Sequence, residues 1–298
     1  MSDEAIRQAP RPAQPSPTAF AWLGKLRALL LLRESPVAMI GAGLIVFWVL
    51  VAIFAPWIAP YNPNANDYTA LVHTTPSLAH WLGTDNQGRD ILSRIIWGAR
   101  TVLTVGPIAV AAAYLVGCTL GLMAGYYRGW VDAVLMRVTD IILSFPIIIL
   151  YIIIITTYGP SALNIILSVT FTAAPQVIRI VRGITLELRE RDYIAAAKMR
   201  GEPSWYIMLV EILPNARGPL IVDACLRMGY TTIAIGVLGF LGLGLPPPDP
   251  DWGGMVKDTY AYIQIWPHMA MFPGAAIVSL VVGFNLLADG LREISARD

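Results

Sequence analysis

Six uninterrupted apolar runs constrain this chain more than any other feature. They lie at about Pro36 to Trp57, Thr101 to Tyr126, Ala133 to Thr157, Ser161 to Val181, Leu220 to Leu245 and Met269 to Leu291. At about 1.5 Å of rise per residue, each reaches across the roughly 30 Å hydrocarbon core of a bilayer as a helix. Hydrocarbon offers no partner to backbone N–H and C=O groups, so a spanning segment must satisfy them itself. Alternating strand patterning is absent, and the chain reads as an all-α integral membrane protein with six transmembrane helices. Composition agrees: 56% of residues are hydrophobic and only 14% charged, against about 25% charged in soluble domains. Mean hydropathy is +0.61. A net charge of +1 gives no basic surface for nucleic acid, so only the placement of charge is informative.

That placement predicts an orientation, because Lys and Arg near helix ends stay in the cytoplasm. With the amino terminus inside, the tail, Arg128, Arg137, the cluster from Arg179 to Arg217, Arg292 and Arg297 are all internal. The external segments hold only Arg89, Arg94, Arg100 and Lys257. Both termini are therefore expected in the cytoplasm. Residues 1–35 form a cytoplasmic tail whose Pro-rich "QAPRPAQPSPTAF" is expected to be disordered. Residues 36–58 form the first span, too long for a cleaved signal peptide. Residues 59–98 form an external segment, and residues 99–292 carry five further helices with a cytoplasmic loop at 183–218.

Within the external segment, "GTDNQGRDILSRIIWGAR" (Gly83 to Arg100) looks helical from Asp90, a plausible N-cap, with Ile91, Leu92, Ile95 and Ile96 on one stripe. It reads as a helix lying at the membrane surface, either a connector or a docking surface. The second external loop, Pro246 to Trp266, opens on a proline run and carries interfacial aromatics. Gly236, Gly239, Gly242 and Gly244 before it leave one face of the fifth span nearly bare, for close packing or as hinges. Pro146 is expected to kink the third span, shaping a path or fitting a neighbour.

The charged stretch "DYIAAAKMRGEPSWYIMLVEILPN" (Asp192 to Asn215) breaks the oily pattern. Ala195, Ala196 and Ala197 favour helix and leave a low profile for a partner. Gly201 is suited to close that helix in the left-handed conformation, and Pro203 to begin a second. Ile207, Val210 and Leu213 form its expected apolar stripe, and Pro214 its expected stop. The segment reads as a helix, a turn and a helix: a cytoplasmic elbow, either an ordinary surface loop or a docking device.

Aligned by Gly201 and by the Leu213-Pro214 pair, this stretch resembles the EAA signature of inner-membrane permeases of binding-protein-dependent ABC importers. Ala195, Ala196, Ala197, Gly201, Glu211, Leu213 and Pro214 occupy its positions, with Ala195 in place of the first Glu and Glu211 in place of Ile. "FAPWIAPYNPN", "RVTDIILSFP", "LGFLGLGLPPPDPDWGGMV" and "FPGAAIVSLVVGFNLLADGLR" look like the shorter permease of dipeptide, oligopeptide and nickel importers, from about Val37 to Arg292. The resemblance implies the type I ABC importer permease fold and alternating access powered by two cytoplasmic ATPase subunits. It further implies a second permease subunit, an external solute-binding protein, and short peptides as cargo, with nickel or another small solute as the alternative. Gly83, Thr84, Asp85, Gly88, Arg89, Asp90, Pro247, Trp252 and Gly253 are then expected near the binding protein.

No Gly-x-x-x-x-Gly-Lys-Ser/Thr phosphate loop occurs, so the chain is not expected to bind ATP. His73, His80 and His268 lack zinc-protease spacing, and no serine sits in a Gly-x-Ser-x-Gly elbow. No cofactor or metal is expected. Cys118 and Cys225 lie in apolar runs without partner spacing, as packing residues would. A secondary transporter, the rival from a different class, needs ionisable groups near mid-membrane. The candidates are Arg137 with Asp140 and Asp223 with Arg227, whose spacings of three and four predict mutual neutralisation.

Overall fold

The computed structural model describes residues 35–69 and 74–295, so the amino-terminal tail, His73 and Arg297 lie outside the described residues. Among the described residues the helices are α1 (Pro36–Ile58), α2 (Ile91–Tyr127), α3 (Gly129–Leu143), α4 (Ile147–Tyr158), α5 (Ala162–Leu188), α6 (Asp192–Met199), α7 (Ser204–Phe240), α8 (Trp252–Thr259) and α9 (His268–Ser295). Extended pairing among the described residues is limited to one isolated bridge between Thr84 and Asp90. Helices α1, α2, α5, α7 and α9 are long and apolar enough to cross a membrane, and α3 with α4 make a sixth span if the bent pair is counted as one.

Three elements differ from their expected form. The helix beginning after Asp90 does not lie on the membrane surface; it continues into the second span as one helix of 37 residues. Asp90 starts it by accepting the Ser93 amide at 2.8 Å, and no proline intervenes before Pro107. Ile91, Ile95 and Ile96, the stripe expected to face lipid headgroups, are buried inside the bundle. The third span is broken rather than kinked. Pro146 cannot donate an amide and its ring crowds the preceding turn, and the axis bends by 84° between α3 and α4.

The third difference is at Pro214, which does not stop a helix. From Ser204 to Phe240 the chain is one 37-residue helix, with Ile207–Ile212 wound as a π-helix. The Leu213 amide reaches back five residues to the Met208 carbonyl. Pro214 has no amide for the Val210 carbonyl and its ring pushes that carbonyl aside, so the turn ahead of it widens instead of ending. The wider turn re-aims the side chains: Ile207, Met208 and Ile212 are buried, while Val210, expected inward, is 46% exposed.

Two buried clusters hold the bundle. One, at the end carrying α8, gathers Trp48, Ile91, Ile95, Ile155, Leu238 and Trp252. The other, at the end carrying α6, gathers Leu122, Val177, Val181, Ile194, Ile207 and Ile212. Within the second cluster α2 lies directly against α5. Gly117, Gly121 and Gly125 present bare backbone, and a Cβ on each would stand 2.5, 2.7 and 2.6 Å from Val177, Val181 and Thr185. Where lipid is as apolar as side chains, such close backbone approach is a main source of helix association.

Candidate functional site

The elbow is built on one turn. The α6 helix ends with the Gly201 amide bonded to the Lys198 carbonyl (3.0 Å) and the Glu202 amide to the Ala197 carbonyl (3.2 Å). That reciprocal pair requires a left-handed residue between them, and Gly201 has φ +77°. Pro203 lies one position before the α7 helix, as its N-cap. On its inner side α6 buries Ile194 and Ala197 completely, against Ile207, Met208 and Ile212. On its outer side Ala195 and Ala196 are exposed, and beside them Met199 is 89% exposed.

The matched motif positions therefore divide by structural placement. Ala197 packs, Ala195 and Ala196 present a flat face, Gly201 sets the angle, and Leu213 with Pro214 forms the wide turn. Glu211 ties the parts together: its Oε1 lies 3.3 Å from Arg200 Nη2, and Arg200 Nε lies 3.5 Å from Glu202 Oε1. The elbow is thus pinned across its own turn. It is also bonded to the bundle, since Arg189 donates to the Tyr126 carbonyl at 2.6 Å where α2 ends. Arg182 makes a two-pronged bond to Asp132 of α3 at 2.5 and 2.6 Å.

The expected Arg137–Asp140 pair is not formed. Asp140 accepts from Arg179 of α5 at 2.5 Å, because α5 lies against α3 and offers a cation from across the interface. Asp223 and Arg227 do meet, at 2.6 Å. Tyr114 donates to the same Asp223 oxygen at 2.5 Å, and Arg227 Nη1 donates to Gln176 at 3.0 Å. Neither residue spacing nor hydropathy pointed to Tyr114, Gln176 or the glycine ladder of α2, although the ladder's four-residue repeat is visible in "GCTLGLMAG".

At the opposite end, the residues expected to meet a binding protein are mostly internal. Of the nine, Pro247 alone is exposed. Asp85 accepts Arg89 Nε at 2.6 Å and the amides of Gln87 and Arg89 at 2.9 and 3.0 Å. Asp90 accepts from His80 at 2.9 Å as well as capping α2. Trp252 is fully buried, bonded to the Ile95 carbonyl at 2.9 Å and stacked edge-on with Trp48 at 4.9 Å. Gly253 has room for no Cβ against the Gly236 carbonyl. These side chains hold the loop's shape, and the surface itself is presented by Gln87, Pro247, Asp249, Lys257 and Asp258. Asp251 caps α8 through the amides of Gly253 and Gly254 at 3.2 and 3.3 Å. Burial pushes its carboxyl up to about 6 despite those bonds.

Comparison with known proteins adds to this geometry. Residues 117–298 match the model of the family described as binding-protein-dependent transport system inner membrane component. Residues 27–76 match the N-terminal transmembrane domain of oligopeptide transport permease C. The dipeptide transport system permease protein DppC of Alkalihalophilus pseudofirmus is 42% identical over 263 residues, 88% of this chain and 86% of that protein. The glutathione transport system permease protein GsiD of Pectobacterium atrosepticum is 41% identical over 256 residues, 85% of each chain. The probable D,D-dipeptide transport system permease protein DdpC of Escherichia coli is 40% identical over 265 residues, 89% of this chain and 88% of that one.

Proposed function

Because this chain belongs to the family of inner membrane components of binding-protein-dependent transport systems, we propose that it is a permease subunit importing short peptides by alternating access, driven by ATP hydrolysis in partner subunits. The observation that carries the reading is the elbow. Its flat alanine face, the left-handed turn at Gly201 and the packing of α6 on the start of α7 make a lever from an exposed surface into a spanning helix. A motion imposed on Ala195 and Ala196 reaches α7 through the buried contact of Ile194 and Ala197 with Ile207, Met208 and Ile212. The peptide cargo is supported by relatives whose names specify dipeptides and glutathione.

In this reading both termini and the elbow are cytoplasmic, as the cation distribution argues, and two ATPase subunits seat the elbow of this chain and that of a second permease. A loaded binding protein sits over the end carrying α8. Its contacts are then the exposed Gln87, Pro247, Lys257 and Asp258, with the buried motif residues beneath them. ATP binding favours the outward-open bundle, and hydrolysis resets it; the elbow must differ in free energy between the two states for coupling to exist.

The test is reconstitution. Vesicles holding this chain, its partner permease and both ATPase subunits should accumulate labelled dipeptide only when ATP and the loaded binding protein are supplied. Uptake by this chain alone under an ion gradient would instead make it a secondary transporter.

A further inference from the structure

Among the described residues, α4, α5 and α7 line a half-open groove of about 460 Å³ whose one charged lining residue is Arg227, with Ile148, Tyr230 and Ile233 exposed along it. Its guanidinium is held at two atoms, Nε by Asp223 at 2.6 Å and Nη1 by Gln176 at 3.0 Å, with the Tyr114 hydroxyl on the same Asp223 oxygen. Nη2 makes no hydrogen bond to the described residues and is not sealed from the groove. A guanidinium carries five N–H donors in a planar fork, so at least three remain. The same groove is lined by Thr231, Tyr230 and the bonded hydroxyl pair of Tyr151 and Thr172, 3.1 Å apart. The rest of the lining is Ile, Val and Ala.

We infer that Arg227 is a cargo site: it takes the terminal carboxylate of a zwitterionic peptide on Nη2 and the free Nη1 hydrogen as the peptide passes along this groove. The inference rests on the peptide-import reading and adds to it the charge form that the membrane part accepts. Charge balance is the reason. At rest Asp223 cancels Arg227, so the groove is neutral. A free peptide brings one carboxylate and one ammonium, so the sum stays neutral, and the hydroxyls of Tyr151 and Thr172 remain to solvate the ammonium. A terminally amidated peptide brings a lone cation next to an arginine that is already neutralised. Between apolar walls at membrane depth an uncompensated charge is strongly disfavoured. Two parallel N–H···O bonds to a carboxylate also need the planar fork, which lysine lacks.

The test compares uptake of a dipeptide with that of its C-terminal amide in the fully assembled transporter, using wild type, Arg227→Gln and Arg227→Lys with one binding protein. Taking the ratio of free to amidated uptake, relative to wild type, cancels the binding protein's own preference. The expected result is a fall in that ratio of about tenfold or more in Arg227→Gln, with a smaller fall in Arg227→Lys. Should Arg227→Gln fail to assemble, Arg227→Lys decides by the same ratio. If wild type refuses the amide, the readout becomes protection of a cysteine at Ala234, on the groove wall, with Cys118 and Cys225 replaced. The free peptide should shield it from a small thiol reagent in the Arg227 protein and not in the variant. An unchanged ratio in an assembled variant, or equal shielding, overturns the carboxylate site. A wild-type complex that takes up neither form refutes peptide import itself.

Discussion

Gly201 and Asp251 both sit at turns where the local backbone is more constrained than the sequence around them. Gly201 lies at φ +77° with nothing within 4 Å of where a Cβ would stand, so a substitution there meets strain and no clash. Gly201→Val should cost about 1 to 3 kcal/mol in that turn and tilt α6 relative to α7. The complex should still assemble, because no span is touched, but ATP hydrolysis should proceed without uptake. Gly201→Asn, which tolerates the left-handed region, should retain most transport, and Ala196→Trp should uncouple as Gly201→Val does by filling the exposed alanine face. Full transport by Gly201→Val in assembled complex would mean that the elbow is an ordinary loop. At Asp251 the sign is that of a raised acid. The fold binds its proton more tightly than the unfolded chain, so stability present below the ordinary 3.8 is lost as pH rises towards about 6 and is flat above. Asp251→Asn should flatten that pH dependence of melting temperature at little cost to the α8 cap, because Asn caps a helix about as well as Asp. A pH slope equal in both proteins would refute the assignment. The left-handed turn at Gly201 was readable because only backbone chemistry decides it. The Arg179 partner of Asp140 was not, since it is chosen across a helix interface that no local spacing encodes.

At the scale of elements, the apolar runs were legible and their joints were not. Hydropathy located five long apolar helices and the bent α3–α4 pair, because apolar character is read residue by residue, whereas continuity depends on phase. The stripe at Ile91, Ile95 and Ile96 stays in register with the second span, so α2 runs through Arg94 and Arg100 as a single helix. Arg94 is accommodated because its Nη1 reaches the Pro63 carbonyl at 3.0 Å. Pro214 makes the same point from the other side, since a missing amide can be absorbed by a π-turn when the helix beyond it is packed. Restoring the amide in Pro214→Ala should let that turn close to α-helix, rotating α6 about α7 by roughly 100°. Thermal stability should hold or rise, given the cost of about 3 kcal/mol for proline in a helix interior, while uptake per ATP falls. Normal coupling in a stable Pro214→Ala protein would argue against the wide turn as part of the lever. The α2–α5 seam behaves oppositely. In Gly121→Val the new Cβ lies 2.7 Å from the Val181 Cβ and 2.8 Å from the Ile178 carbonyl oxygen, so the helices must separate. A loss at the upper end of about 1 to 3 kcal/mol should appear as lower yield and melting temperature, before any question of coupling arises.

For the whole molecule, two helices of 37 residues are each about 55 Å long, well beyond the roughly 30 Å of hydrocarbon. Each must project from the bilayer, and the order of crossings sends the projections to opposite faces. The start of α2 stands out at the end carrying α8, and the start of α7 stands out at the elbow. The molecule is thus built as two protruding surfaces joined by the bundle, one fastened by Asp85, Arg89 and Trp252, the other by Arg189, Arg200 and Glu211. In the proposed reading, charge argues which surface faces the cytoplasm. Arg179, Arg182, Arg189, Arg191, Lys198, Arg200 and Arg217 lie in or near the elbow end, and cation-rich segments are retained inside. Several of these arginines are bonded to carboxylates of α3 or of the elbow, yet the rule counts Lys and Arg and not net charge, so pairing does not cancel the signal. Single cysteines at Asp258, which is exposed at the α8 end, and at Met199, which is 89% exposed on the elbow, separate the two orientations. In intact cells, with Cys118 and Cys225 replaced, an impermeant thiol reagent should label Asp258→Cys and spare Met199→Cys. Breaching the inner membrane should expose the second site without changing the first. The reverse pattern would put the elbow outside, beyond reach of any ATP-hydrolysing partner, and the lever would then have nothing in the cytoplasm to drive it.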